Sequence, residues 1–274
     1  MAKLSLSRAW EETKSVLSHD GKLITSVALA LILFPQALGW VANPPPGVSS
    51  HTPAGWAPLL SLLITLAGLA GEIAIMRLSI GPATSVGSAI RRGGNRVIPS
   101  FFAFVLFGLA LMLLALPLLV LTLSTEQMEA FIRGARDPEV MRMFGLIFLL
   151  VIFLAARFQL MLPVASVEPG GPIRLLKRSY ELSAGYYFKL LGFLLVALLA
   201  GVIIWYASLT VAGTVARVVS LEIAPWSVGA LLVGLFVAAA QTVFSAIFSV
   251  MLARIYLQLA GPAHADVSVP SSGT

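Results

Sequence analysis

The sequence has few charged residues for its length. Of its 274 residues, 18 are Lys or Arg and 12 are Asp or Glu, so that 11% are charged, whereas 58% are hydrophobic. A soluble globular domain carries about 25% charged and about 45–50% apolar residues. This shortage of charge excludes an ordinary soluble enzyme, a disordered chain and a coiled coil. It indicates a protein that lies mostly within a lipid bilayer.

Residue types that usually carry chemistry are also scarce. Cysteine is absent, which excludes disulfides, thiolate metal sites and cysteine nucleophiles. The three histidines, His19, His51 and His264, lie in polar segments, so the apolar runs contain no imidazole for a metal. The sequence also lacks the His-Glu-x-x-His, Gly-x-Ser-x-Gly and Gly-x-x-x-x-Gly-Lys patterns. We therefore expect no enzymatic activity, no metal and no cofactor.

Six long apolar runs are present instead. A bilayer core of about 30 Å is crossed by about 20 helical residues. Because backbone groups in lipid must be hydrogen-bonded within their own segment, each run is predicted to be a helix. The prediction is an all-α polytopic bundle, a single domain over residues 1–264 followed by a flexible tail, 265–274. The predicted spans are Leu23–Ala42, Pro58–Leu78, Pro99–Leu123, Phe144–Val164, Lys189–Gly213 and Val228–Ala253.

The basic residues are distributed unequally across these spans. Thirteen of the 18 lie on one side, in 1–22, 77–96, 174–189 and at Arg254, whereas four lie on the other side. Lys and Arg accumulate on the cytoplasmic side of membrane proteins, so both termini are predicted to be cytoplasmic. This role in topology accounts for the net charge of +6 without a nucleic-acid partner.

A pattern recurs at the even-numbered spans. The second, fourth and sixth each end with an Arg that is followed a few residues later by a Pro, at Arg77, Arg157 and Arg254. A short basic segment precedes each odd-numbered span. The pattern indicates three transmembrane hairpins, each preceded by a short cytoplasmic interfacial helix, with possible repeats over 1–82, 83–163 and 172–262.

Among the polar side chains inside the predicted spans, the candidate functional residues are Glu72, Arg157 and Gln241. Ionisable groups within a membrane are costly, so each is a candidate functional residue. Glu72 lies six residues before Leu78, and Arg157 lies six residues before Pro163, so both are about 9 Å inside the cytoplasmic end at 1.5 Å per residue. Equal depth and opposite charge predict an ion pair that holds the bundle together. The alternatives are that Arg157 reaches the inner headgroups with its long side chain, or that the two residues belong to a proton or anion pathway.

The inner loop 163–189 is predicted to contain a basic amphipathic helix. Pro172 suits its first turn and Gly185 its end. Arg174, Lys177 and Arg178 are the candidate ligands for lipid headgroup phosphates, because each basic residue near an anionic surface contributes about 1 kcal/mol. The plainer interpretation is that these residues only set the topology.

The sequence around this loop resembles the membrane domain found beside some bacterial glycerophosphoryl diester phosphodiesterases, together with its stand-alone six-helix relatives. The residues that carry the resemblance are Ala156-Arg157-Phe158, Pro163-Val164, Glu168, Gly171-Pro172, Lys177-Arg178-Ser179, Leu182, Gly185 and Lys189-Leu190-Leu191. It implies a six-helix protein of a bacterial inner membrane. The resemblance implies no catalytic role, because no soluble stretch of the sequence is long enough for the catalytic barrel domain of such a phosphodiesterase.

Two functions are compatible with these features. The first is a non-enzymatic membrane protein that interacts with phospholipids or organises the envelope, with a membrane-protein partner possible. The second is a small transporter of a lipid-like or amphipathic substrate, which requires a continuous polar cavity that reaches Glu72 and Gln241.

Overall fold

A computed structural model describes residues 4–44, 55–81, 86–133, 137–219 and 222–261. Within these ranges the chain is helical and contains no strand. Six of its helical segments are long and apolar enough to cross a membrane, which confirms the predicted all-α polytopic bundle. The helices are α1 (Leu6–Ala28), α2 (Phe34–Ala42), α3 (Ala57–Ile80), α4 (Val86–Thr122), α5 (Thr125–Ile132), α6 (Pro138–Phe158), α7 (Met161–Val167), α8 (Pro172–Ser183), α9 (Tyr187–Val218) and α10 (Val228–Ala260).

The segments before the three hairpins are helical, but only the third is a separate helix. The N-terminal segment continues through α1 and a π-helical turn, Leu29–Leu33, into α2. Likewise, α4 runs unbroken for 37 residues from its basic start to its apolar end. Before α8, in contrast, the sequence Glu168-Pro-Gly-Gly-Pro172 ends one helix and begins another, because each proline removes a backbone donor. The structure thus differs from three separate interfacial helices.

The fourth span is interrupted near its basic end. It was predicted as one helix over Phe144–Val164, whereas the structure ends α6 at Phe158 and begins α7 at Met161. Pro163 explains the interruption, because it has no N–H to donate to the carbonyl of Gln159, four residues earlier. The side chain of Gln159 donates instead to the carbonyl of Leu190 at 3.0 Å, which fastens the interruption to α9.

Small residues allow close helix contacts, as expected for membrane bundles. A Cβ atom placed on Gly93 of α4 would lie 2.6 Å from the carbonyl oxygen of Ala70 in α3. A Cβ on Gly234 of α10 would lie 2.7 Å from Cβ of Trp40 in α2. At both positions glycine is required for the observed separation of the helices.

One end of the bundle, the basic end, brings together the chain segments that are rich in Lys and Arg. Lys189 donates to the carbonyl of Leu4 at 2.9 Å, and the backbone N–H of Ser5 donates to Gln258 at 3.0 Å. The largest buried cluster extends from Leu4 to Tyr256 and joins helices at this end. None of the most apolar stretch of α4 is buried, so this part of α4 is available to lipid. The predicted tail 265–274 lies outside the described residues, and the threefold repeat stays a prediction.

Candidate functional site

The helix α8 is fastened to the basic end through Glu168. The Glu168 carboxylate lies just before α8, and its side chain is only 12% exposed. Its Oε1 accepts a hydrogen bond from Nε of Arg178 at 3.0 Å and another from the hydroxyl of Tyr256 at 3.0 Å. Tyr256 is fully buried in α10. One carboxylate oxygen therefore connects α8 with the core of the bundle.

The three residues predicted to hold lipid phosphates have two different environments. Arg174 and Lys177 are exposed, whereas Arg178 is paired with Glu168 and lies 3.7 Å from Glu181. Burial lowers the pKa of Arg178, but the hydrogen bond and the charge of Glu168 outweigh that effect, so its pKa is raised. Arg178 thus holds α8 in place, and Arg174 and Lys177 remain available to a ligand.

Exposed apolar side chains lie beside these two cations. Ile173 is 75% exposed and Tyr180 is 51% exposed on the same outward side of α8. On the adjacent helix α4, Arg96 donates to the carbonyl of Gly170 at 3.5 Å, and exposed Arg92 lies one turn earlier on the same face. We call the set Arg92, Ile173, Arg174, Lys177 and Tyr180 the headgroup surface.

Arg157 and Glu72 do not form the predicted ion pair in the structure. The Arg157 guanidinium lies over the rings of Tyr180, at 5.0 Å, and Tyr187, at 4.4 Å. Glu72 accepts a hydrogen bond from the hydroxyl of Ser245 at 2.9 Å. Each residue therefore has its own partners, because the helices that carry them at equal depth turn their side chains toward different neighbours.

These separate partners predict additive effects of mutation. Arg157→Gln should lower the free energy of unfolding by about 1–2 kcal/mol, because it removes the contacts of a cation with two aromatic rings. Combined with Glu72→Gln, the total effect should equal the sum of the single effects within about 0.5 kcal/mol, as for residues without shared partners. Thermal unfolding of the four proteins in one detergent measures this. A double variant that departs from the sum by more than about 1 kcal/mol would show that the two residues are coupled.

A cavity of about 270 Å³ lies beside Glu72. Its walls come from α3, α4, α9, α10 and the interruption between α6 and α7. Glu72 and Gln159 are the two polar residues that line it, and the rest of the lining is apolar. The sequence argument missed Gln159 and Ser245, although both are polar residues within predicted spans and Ser245 lies one turn after Gln241.

A second cavity of about 460 Å³ lies between α2, α3 and α10, toward the opposite end of the bundle. Gln36, Thr65 and Gln241 are among its polar lining residues. It shares no lining residue with the cavity beside Glu72. Among the described residues, Glu72 and Gln241 therefore line different cavities, whereas the transporter hypothesis requires one continuous polar cavity that reaches both.

The described residues contain no group of three or more His, Asp or Glu side chains that could hold a metal ion. Comparisons with protein-family models, with curated proteins and with solved structures gave no match to this chain. The resemblance to the phosphodiesterase-associated membrane domain accordingly stays a prediction. The residues and their geometry alone support the function proposed below.

Proposed function

We propose that this integral membrane protein binds anionic phospholipid headgroups at the headgroup surface and acts without enzymatic activity. The observation that carries the proposal is the exposure of Arg174 and Lys177 on a helix whose third cation, Arg178, fastens it to the bundle. A fixed helix presents its cations without first having to order itself, which favours binding.

The chemistry of this surface suits the boundary between lipid tails and water. Helices at this boundary carry basic residues beside apolar side chains, which enter the outer part of the acyl layer. Ile173 and Tyr180 supply exposed apolar groups, whereas Arg92, Arg174 and Lys177 supply the positive charge. An anionic phosphate is the headgroup component that this combination favours.

Charge reversal tests the proposal. The double variant Arg174→Glu, Lys177→Glu should bind phosphatidylglycerol roughly 30-fold more weakly, because two contributions of about 1 kcal/mol each are lost. The matched control is Arg142→Glu, Arg217→Glu, which changes the net charge equally but alters two exposed residues at the opposite end. Native mass spectrometry of the three proteins, titrated with phosphatidylglycerol, gives the affinities. Equal affinities of the double variant and the wild type would refute the headgroup surface.

We also propose that the protein lies in a bacterial inner membrane with the basic end in the cytoplasm. The support is the unequal number of Lys and Arg residues on the two sides of the spans. This orientation places the headgroup surface at the cytoplasmic leaflet, where anionic lipids attract basic segments.

The absence of cysteine in the sequence makes the orientation directly measurable, because a single introduced cysteine has no competitor. Lys177→Cys should be shielded from a membrane-impermeant maleimide in intact spheroplasts and labelled after lysis. Glu126→Cys, in α5 at the opposite end, should be labelled in intact spheroplasts. The reverse pattern would contradict the proposed orientation, and mass spectrometry of the isolated protein distinguishes the two results.

A further inference from the structure

We propose that the cavity beside Glu72 binds a small amphipathic amine, with its ammonium group against Glu72 and its apolar body among the phenylalanine rings. This site is separate from the headgroup surface, and the inference does not depend on the proposed lipid binding.

The acceptor oxygens of Glu72 and Gln159 identify the polar part of the ligand. In the described part of the chain, Glu72 has one hydrogen-bond partner, Ser245, and forms no ion pair with a basic side chain. Nε2 of Gln159 donates hydrogen bonds to the carbonyls of Ala156 and Leu190, whereas the buried Oε1 of Gln159 has no hydrogen-bond partner. Buried polar atoms without partners are rare in proteins. A ligand that donates hydrogen bonds would satisfy both oxygens.

The charge and the apolar walls of the cavity restrict the chemical class of the ligand further. Of the described residues that line the cavity, none is basic; they offer a carboxyl group and an amide oxygen but no free side-chain nitrogen donor. An anion would lose its hydration in an apolar setting without a cationic side chain to pair with, which is strongly unfavourable. A cation, in contrast, would be attracted both by Glu72 and by the faces of aromatic rings. Four phenylalanines line the cavity: Phe104, Phe107, Phe158 and Phe248.

The volume sets the size of the ligand. At about 270 Å³, the cavity lies just below the range of about 300–1,000 Å³ that is typical of drug-sized ligands. It therefore suits a compact amine with a short alkyl chain or a single ring. A whole phospholipid does not fit inside it.

Equilibrium dialysis of the purified full-length protein with 2-phenylethylamine tests this inference. The matched probes are 2-phenylethanol and 3-phenylpropanoate, which keep the ring but replace the ammonium group by a hydroxyl or a carboxylate. The alcohol should bind at least about tenfold more weakly than the amine, the loss expected when a charge-assisted hydrogen bond is replaced by a neutral one. The carboxylate should not bind. Equal binding of the alcohol, or any saturable binding of the carboxylate, would overturn the inference.

Variants locate the binding in the cavity. Glu72→Gln should weaken binding of the amine at least about tenfold, because the counter-charge is lost. Ala155→Leu should also weaken it, since the larger side chain occupies part of the cavity while Glu72 is kept. Gln241→Leu is the control, because it changes a polar residue of the other cavity and should leave binding unchanged. Unchanged binding of the amine in both cavity variants would overturn the inference. If a variant does not fold, the comparison of the amine, the alcohol and the carboxylate on the wild-type protein tests the inference by itself.

Discussion

Replacing Glu168 by alanine should lower the free energy of unfolding by about 3 kcal/mol. The expected magnitude follows from the loss of one partner in a largely buried ion pair, which costs about 3–5 kcal/mol. We expect a loss at the lower end of this range, because the Arg178 side chain that loses its partner is 29% exposed to solvent and lies 3.7 Å from a second carboxylate, Glu181. The variant also leaves the hydroxyl of buried Tyr256 without its carboxylate acceptor. The midpoint temperature of thermal unfolding should fall by roughly 6–12 °C.

Two variants distinguish the role of Glu168 from a general loss of charge. Glu181→Ala removes the other carboxylate near Arg178, but this side chain is 48% exposed and lies 3.7 Å away. Exposed pairs of this kind contribute about 0–1 kcal/mol, so the shift should be small. Tyr256→Phe should lower the free energy of unfolding by about 1 kcal/mol, between the effects of the two alanine variants, because it removes a single hydrogen bond. Equal effects of Glu168→Ala and Glu181→Ala would disprove the role of Glu168 in holding α8.

The same substitution at two neighbouring glycines should have opposite effects on stability. Gly93→Ala should destabilise the protein by about 1–3 kcal/mol, the usual effect of overpacking. The reason is the 2.6 Å distance between the new Cβ and a backbone oxygen of α3, which forces α3 and α4 apart. Gly94→Ala meets no atom within 4 Å, so it should stabilise α4 by about 0.5–1 kcal/mol through its higher helix propensity.

Thermal unfolding of the two alanine variants beside the wild type measures this contrast. Because Gly93 and Gly94 are adjacent in one helix, detergent and expression should affect both variants equally. The difference between their free energies of unfolding therefore reports the contact between α3 and α4. A stabilising or neutral Gly93→Ala would mean that the two helices do not approach as closely as described.

Local patterns predicted the helices well. Pro172 begins α8 as expected, and Ser124 caps α5 with its side chain. Asp137 caps α6 with its side chain, and Pro138 is the first residue of that helix. These features depend on residues within one turn of each other, which the sequence displays directly.

Partners across the bundle could not be predicted in the same way. Equal depth suggested that Glu72 and Arg157 would meet, but rise per residue gives only height and not the direction in which a side chain points. The partner of Glu72 is 173 residues away, at Ser245. The role of Arg178 likewise depends on Tyr256 in α10 through their shared contact with Glu168. Such contacts are decided by how helices pack, and no local spacing in the sequence records them.

Photocrosslinking in vesicles tests lipid binding at the headgroup surface most directly. The protein is reconstituted with a trace of phosphatidylglycerol or phosphatidylcholine that carries a photoreactive group in its headgroup region, and crosslinked peptides are identified by mass spectrometry. We predict that phosphatidylglycerol crosslinks predominantly to Pro172–Ser183 and the start of α4, and that phosphatidylcholine does so much less. Equal crosslinking of the two lipids there, or a preference of phosphatidylglycerol for α5 at the opposite end, would contradict the account.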